Sequence, residues 1–168
     1  YFIIKGDRAA ECRFRLGKAG TVLGNKIQKF TVRQQMLTNN YEIYRYRDSY
    51  LNNVALHHHD FYEVYLFLNG NVNYEPDYHL LPGDILLISP LELHQPRITL
   101  EKHPYERIVL WVNKSFLEQF STPHTTLMHC FDSTVPGHTN LLRLPPAQRA
   151  ESTSPLTTGP RTSREPHP

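Results

Sequence analysis

No apolar run in the 168 residues is longer than seven. A helix needs roughly 20 such residues to cross a bilayer, so a transmembrane helix is excluded. Cysteine is scarce as well: Cys12 and Cys130 lie far apart and form neither a CxxC nor a Cys/His ligand pattern. That excludes a disulfide framework and a thiolate zinc site, and the two read as free thiols of a reducing compartment. A strong charge of one sign is also missing. The net charge of +2 conceals a gradient, because residues 1–35 hold eight Lys/Arg against two Asp/Glu while residues 36–143 hold seven against twelve. A mildly acidic central block argues against a bare nucleic-acid-binding surface there. The opening YFIIKGDRAAECRFR places apolar residues before the charges, the reverse of a secretory signal. The cytoplasm is the expected location.

A chain of this length has room for one core of ordinary size plus flanks. Residues 1–35 show no sustained period, only scattered basic residues with Gly17, Gly20 and Gly24. GKAGTVLG lacks the residue order of a phosphate loop and reads as a loop or arm. The first residue is Tyr1, and Met36 stands just before the first periodic segment. Met36 is therefore the expected natural start, with residues 1–35 a basic segment that is non-native or flexible.

From Tyr41 the pattern turns β-like. YEIYRYRD alternates apolar or aromatic residues with charged ones, and EVYLFL runs to Asn69-Gly70-Asn71, whose Asn-Gly favours a tight hairpin reversal. VNYE, YHLLPGD, ILLIS, HQPRITL and ERIVLWV follow at spacings of about 8 to 12 residues, the rhythm of an all-β sandwich or barrel. Pro82-Gly83-Asp84 reads as a turn whose Asp ties the backbone. Asn113 is placed to cap a short helix, Lys114 to Phe120, with Phe116, Leu117 and Phe120 on one face, and LMHCF can start another. Beyond Arg143 the Pro/Ser/Thr-rich tail has too few aliphatic residues to offset the entropy of ordering and is expected to be disordered. Four segments result: a basic stretch at 1–35, a β domain at 36–120, a partial helical extension at 121–143 and a tail at 144–168.

The chemistry concentrates in LHHHDFYEVYLFLNG. Side chains on a strand alternate faces, so His57 and His59 point one way and His58 the other, and Glu63 shares the odd parity with Tyr65 and Phe67. A later strand can bring His94 beside them. Three imidazoles and a carboxylate converging in a barrel suit Fe, Mn or Ni with open coordination positions. They equally suit a polar pocket wall without any ion, since small barrels hold ligands among aromatics and a few convergent polar groups. Tyr65 and Trp111, with Tyr44 and Tyr46, are candidates to stack on a small ligand, although an aromatic on a strand is ordinarily core.

His57-x-His59-x3-Glu63-x6-Gly70 resembles the first cupin motif in every spacing, though Leu51 stands where that motif has its leading glycine. Gly83, Pro90 and His94 match the second motif loosely, with Glu92 in place of its glycine. The wording HHHDFYEVYLFLNGNVNY, LLPGDILLISPLELHQP and YERIVLWVNKSFLEQF resembles the effector-binding N-terminal domain of AraC-type transcriptional regulators over about residues 38 to 131. The resemblance implies an all-β cupin jelly roll with a short C-terminal helical segment. It implies a small-molecule effector bound by His57, His59, Glu63, His94, Tyr65 and Trp111, with no catalytic residue and no cofactor expected. A divalent Fe, Mn or Ni ion on His57, His59, Glu63 and His94 is the metal-bound alternative. In that family the barrel joins dimerising helices and two helix-turn-helix units. Neither unit stands in this sequence, so DNA contact is expected only through a domain absent from the chain, and homodimerisation is among the expected associations. Truncation and frameshift both explain the missing half. The rival reading is a small metal-dependent cupin enzyme, an oxygenase or isomerase, using the same four residues, and a third is a fragment without function.

Overall fold

The computed structural model describes residues 2–5, 11–14, 33–74 and 78–146. The expectations for most of residues 1–35 and for the tail beyond 146 lie outside the described residues. Near the N-terminus, β1 (Phe2–Lys5) and β2 (Glu11–Phe14) pair antiparallel as a separate two-stranded sheet.

The alternating segments become strands where period 2 predicts them. β3 (Tyr41–Asp48), β4 (Tyr62–Asn69), β7 (Ile85–Ile88) and β9 (Tyr105–Val112) join a five-stranded antiparallel sheet in the order β10-β7-β4-β9-β3. Its edge strand β10 (Leu141–Leu142) comes from the far end of the fold. β5 (Asn71–Tyr74), β6 (Tyr78–His79) and β8 (Pro96–Thr99) form a three-stranded sheet in the order β6-β5-β8. The sheets pack face to face around Tyr65, Phe67, Leu86 and Val109 from the larger and Val72, Tyr74 and Ile98 from the smaller. The architecture is an all-β jelly roll. No helix among the described residues is long and apolar enough to cross a membrane.

Asn69-Gly70-Asn71 is a corner and not the expected hairpin. β4 pairs with β7 and β9 while β5 pairs with β6 and β8, so the chain leaves one sheet for the other at Gly70. The same local chemistry serves both outcomes, because a sheet-to-sheet corner also needs a positive φ. Gly70 has φ +125°, and a Cβ there would meet the Tyr105 Cα at 3.2 Å.

Two further segments close the barrel. Asn113 caps α1 (Lys114–Phe120) by accepting from the Ser115 N–H, and α1 lies with a 3-10 helix (Leu127–Phe131) over the outer face of the large sheet. After β10, Arg143 grips the fully buried Asp84 at 2.6 Å and donates to the His79 carbonyl at 2.8 Å. Asp84 also ties its own turn by accepting from the Leu81 N–H. On the N-terminal side, Gln34 accepts from the Asp60 N–H at 3.1 Å and Met36 packs against the core. Contacts with the barrel thus begin at least three residues before Met36, at Arg33.

Candidate functional site

Backbone pairing sets the histidines side by side. His57 and His94 form an antiparallel bridge, each N–H donating to the other's carbonyl at 3.2 and 3.0 Å, and the Leu91 N–H donates to the His59 carbonyl at 2.7 Å. The ring of His94 consequently lies 4.2 Å from that of His57 and 4.9 Å from that of His59, centroid to centroid. Each imidazole is pinned from behind in the same way. The Nδ1 atoms of His57, His59 and His94 stand 2.8 Å from the carbonyl oxygens of Ala55, Phe61 and Glu92. A carbonyl can only accept, so each Nδ1 carries a proton and Nε2 is the ring atom left for another partner.

Glu63 faces these rings from the inner side of β4. Its buried carboxylate accepts from the Trp111 indole N–H at 2.8 Å, and Oε2 lies 3.2 Å from the Nε2 of His59. That last approach lacks hydrogen-bond alignment, and the buried Nε2 of His59 has no hydrogen-bond partner among the described residues. Burial alone would push the Glu63 carboxyl up; the neighbouring His59, His94 and the Trp111 N–H outweigh it and hold the group below its usual range. Burial pushes His94 down to about 4, against the opposing pull of Glu63.

His59, Glu63 and His94, all buried, place their ligand atoms within 4.8 Å of one another. The donor set fits a divalent cation. Imidazole nitrogen and carboxylate oxygen suit such ions, and a backbone carbonyl behind each ring is the usual outer support of a metal-binding histidine. His57 lines the same cavity but stands outside this close group. His58 is half-buried and takes no part in the lining.

The cavity has a volume of about 30 Å³, room for roughly two waters or an ion with one. Tyr65 and Trp111 line it as the sequence suggests, whereas Tyr44 and Tyr46 stand behind its arginines. Sequence reasoning missed Arg33, Arg107, Tyr74 and Tyr105, which also line it. Arg107 could have been found by parity, since it shares the inner face of β9 with Tyr105, Val109 and Trp111. Its guanidinium lies 4.1 Å from the Tyr105 ring centroid and 4.7 Å from that of Tyr46, with Nη1 on Asp48 at 2.5 Å. The hydroxyls of Tyr65 and Tyr105 share a hydrogen bond of 2.6 Å, and burial pushes Tyr105 up to about 12.

Among solved structures, the chain is similar to a cupin protein from Bacteroides fragilis, with 20% identity over 52% of this chain and 85% of that one and a TM-score of 0.38. It is also similar to a Cupin 2 conserved barrel domain protein from Salinispora arenicola, with 19% identity, coverage of 67% and 97%, and a TM-score of 0.40. No curated protein matches it. A family model described as the AraC-like ligand binding domain matches residues 40–147, a span that takes in every element from β3 to β10 together with His57, His59, Glu63 and His94. The chain belongs to the AraC-like ligand binding domain family.

Proposed function

We propose that this chain is the effector-sensing part of an AraC-type transcriptional regulator acting in the cytoplasm. A small molecule binds in the barrel, and its presence is passed to a DNA-binding domain outside this chain. The observation that carries this proposal is the coincidence of the family's ligand-binding span with a barrel interior in which three imidazoles, a carboxylate and several aromatic rings converge. Signalling requires that the ligand favour one conformation over another, since tight binding alone shifts no equilibrium. The segment from Arg33 to Met36 is the element best placed to respond, because it touches both the cavity and the core. Screening small molecules by thermal shift and Trp111 fluorescence tests the proposal. Some should raise Tm in a concentration-dependent way; a screen in which none does sinks it.

One observation favours a cation as part of the same site. The Nε2 of His59 is buried without a hydrogen-bond partner among the described residues, 3.2 Å from the Glu63 carboxylate, and positive charge between the two atoms, a ring proton or a cation, completes the pair. We propose that His59, Glu63 and His94 hold a divalent ion, with His57 able to approach it. Such an ion would supply positive charge and open coordination positions for the effector. Elemental analysis of protein purified without chelator should find near-stoichiometric Fe, Mn, Ni or a related ion, lost in His59→Ala; a metal-free wild-type protein that gains no thermal stability from added Ni²⁺ or Mn²⁺ overturns it. A cupin oxygenase or isomerase would use the same ligands. It would be recognised by mass spectrometry as a chemical change in the bound small molecule, where a sensor returns it intact.

A further inference from the structure

We propose that the molecule bound in this cavity is a compact organic anion whose carboxylate is received by Arg33 and Arg107. This deepens the preceding proposal and rests on it.

Both guanidinium groups line the cavity that contains His59, Glu63 and His94. Arg107 is only 2% exposed and occupies an inner position of β9 opposite Tyr46 on one neighbouring strand and Phe67 on the other. Desolvating a guanidinium is costly, and an apolar side chain could fill that position as Phe67 does its own. Asp48 holds its Nη1 at 2.5 Å, so the charge is paired while the side chain lines the cavity. Arg33 reaches the cavity from the segment before β3. Its guanidinium lies 4.7 Å from the Trp111 ring centroid and 5.4 Å from that of Tyr44, and Nη2 donates to Glu42 at 2.5 Å and to the Tyr44 hydroxyl at 2.7 Å. Its Nη1 is buried and has no hydrogen-bond partner among the described residues.

The paired N–H groups of a guanidinium match the two oxygens of a carboxylate. Both groups lie close to aromatic rings, Arg33 at 4.7 Å from the Trp111 centroid and Arg107 at 4.1 Å from that of Tyr105. Charge favours the same class of ligand. Among the lining residues Glu63 is the one carboxylate, against two guanidinium groups whose ion-pair partners, Glu42 and Asp48, are not lining residues. A cavity of about 30 Å³ restricts the anion to a compact one.

The test compares molecules of one shape that differ in charge. Titration calorimetry and Trp111 fluorescence on the full chain, without added metal and at fixed ionic strength, would follow acetate and glycolate against acetamide and glycolamide, with inorganic phosphate as a tetrahedral control. The acids should bind at least about tenfold more tightly than their amides. Arg107→Gln and Arg33→Gln should each lose at least that factor for the acids while leaving the amides unchanged. Arg33 is partly exposed, so its variant keeps the test valid should Arg107→Gln not fold. Amides binding as well as acids, acids binding equally to the Arg33 variant, phosphate binding better than the acids, or no binding of the acids would each overturn the anion proposal. The wider sensing proposal survives those outcomes as long as a neutral compound from the screen still raises Tm.

Discussion

The large sheet has two buried faces built by the same strands from different chemistry. On β4, Tyr62, Val64 and Leu66 turn outward toward α1 and the 3-10 helix, while Glu63, Tyr65 and Phe67 turn inward. The outer cluster is Ile85, Leu87, Val112, Leu117, Leu127 and Phe131, without a buried charge. On the inner side, buried Glu42, Glu63, Arg107, His59 and His94 interrupt the apolar packing. Desolvated charge is costly even when paired, whereas apolar burial stabilises in proportion to area. The alternation of strand side chains thus divides the chemistry: even positions of β4 pack toward the helices, and odd ones face an interior that holds both the main apolar core and the candidate site.

The harshest way to break that separation is to damage the outer face. Phe131 is 1% exposed and packs on Tyr62 at a centroid distance of 4.8 Å. Phe131→Ala should destabilise the fold by about 3–5 kcal/mol, read as a lower urea midpoint. Cation and ligand affinity of the folded fraction should stay unchanged. A parallel loss of affinity would mean that the two faces are coupled through the sheet.

A smaller and opposite result is expected on the inner face. Trp111→Phe keeps most of the ring and removes the N–H that donates to Glu63. Losing a hydrogen bond to a charged acceptor costs about 1.5–3 kcal/mol. The Glu63 carboxyl should then titrate at higher pH, and cation affinity should change, which Phe131→Ala leaves alone. Isothermal titration with Ni²⁺ separates the two variants.

Much of this contrast was legible in the sequence, because period-2 alternation is a local signal. Parity alone assigned Glu63, Tyr65 and Phe67 to one face and split His58 from His57 and His59, and the Asn113 cap marked the start of α1 at Lys114. What stayed hidden depends on pairings distant along the chain. Arg143 finds Asp84 across 59 positions, and β10 has two residues, too few to show a period. Gly70 misled because a hairpin and a sheet-to-sheet corner ask for the same backbone freedom. Arg33 was set apart with a segment of different composition, and composition says nothing about where one side chain folds back.

The smallest effect is expected where the N-terminal segment meets the inner face. The Glu42 carboxylate accepts from the Leu37 and Thr38 N–H groups, from Arg33 and from the Tyr44 hydroxyl. Burial would push its pKa up, but these donors outweigh it and hold it below the ordinary 4.5. A folded pKa below the unfolded one means that the anchorage is complete above about pH 4.5 and is lost as pH falls through the lower folded value. Between pH 7 and 5 the segment should stay in place. Under stronger acid Arg33 should leave Trp111, the single tryptophan, and its emission should report the step. Glu63 also touches that indole, so Glu42→Gln supplies the control. If the acid step persists unchanged in Glu42→Gln, it belongs to Glu63 or to His94 of the same cavity, and the N-terminal segment is held by something other than Glu42.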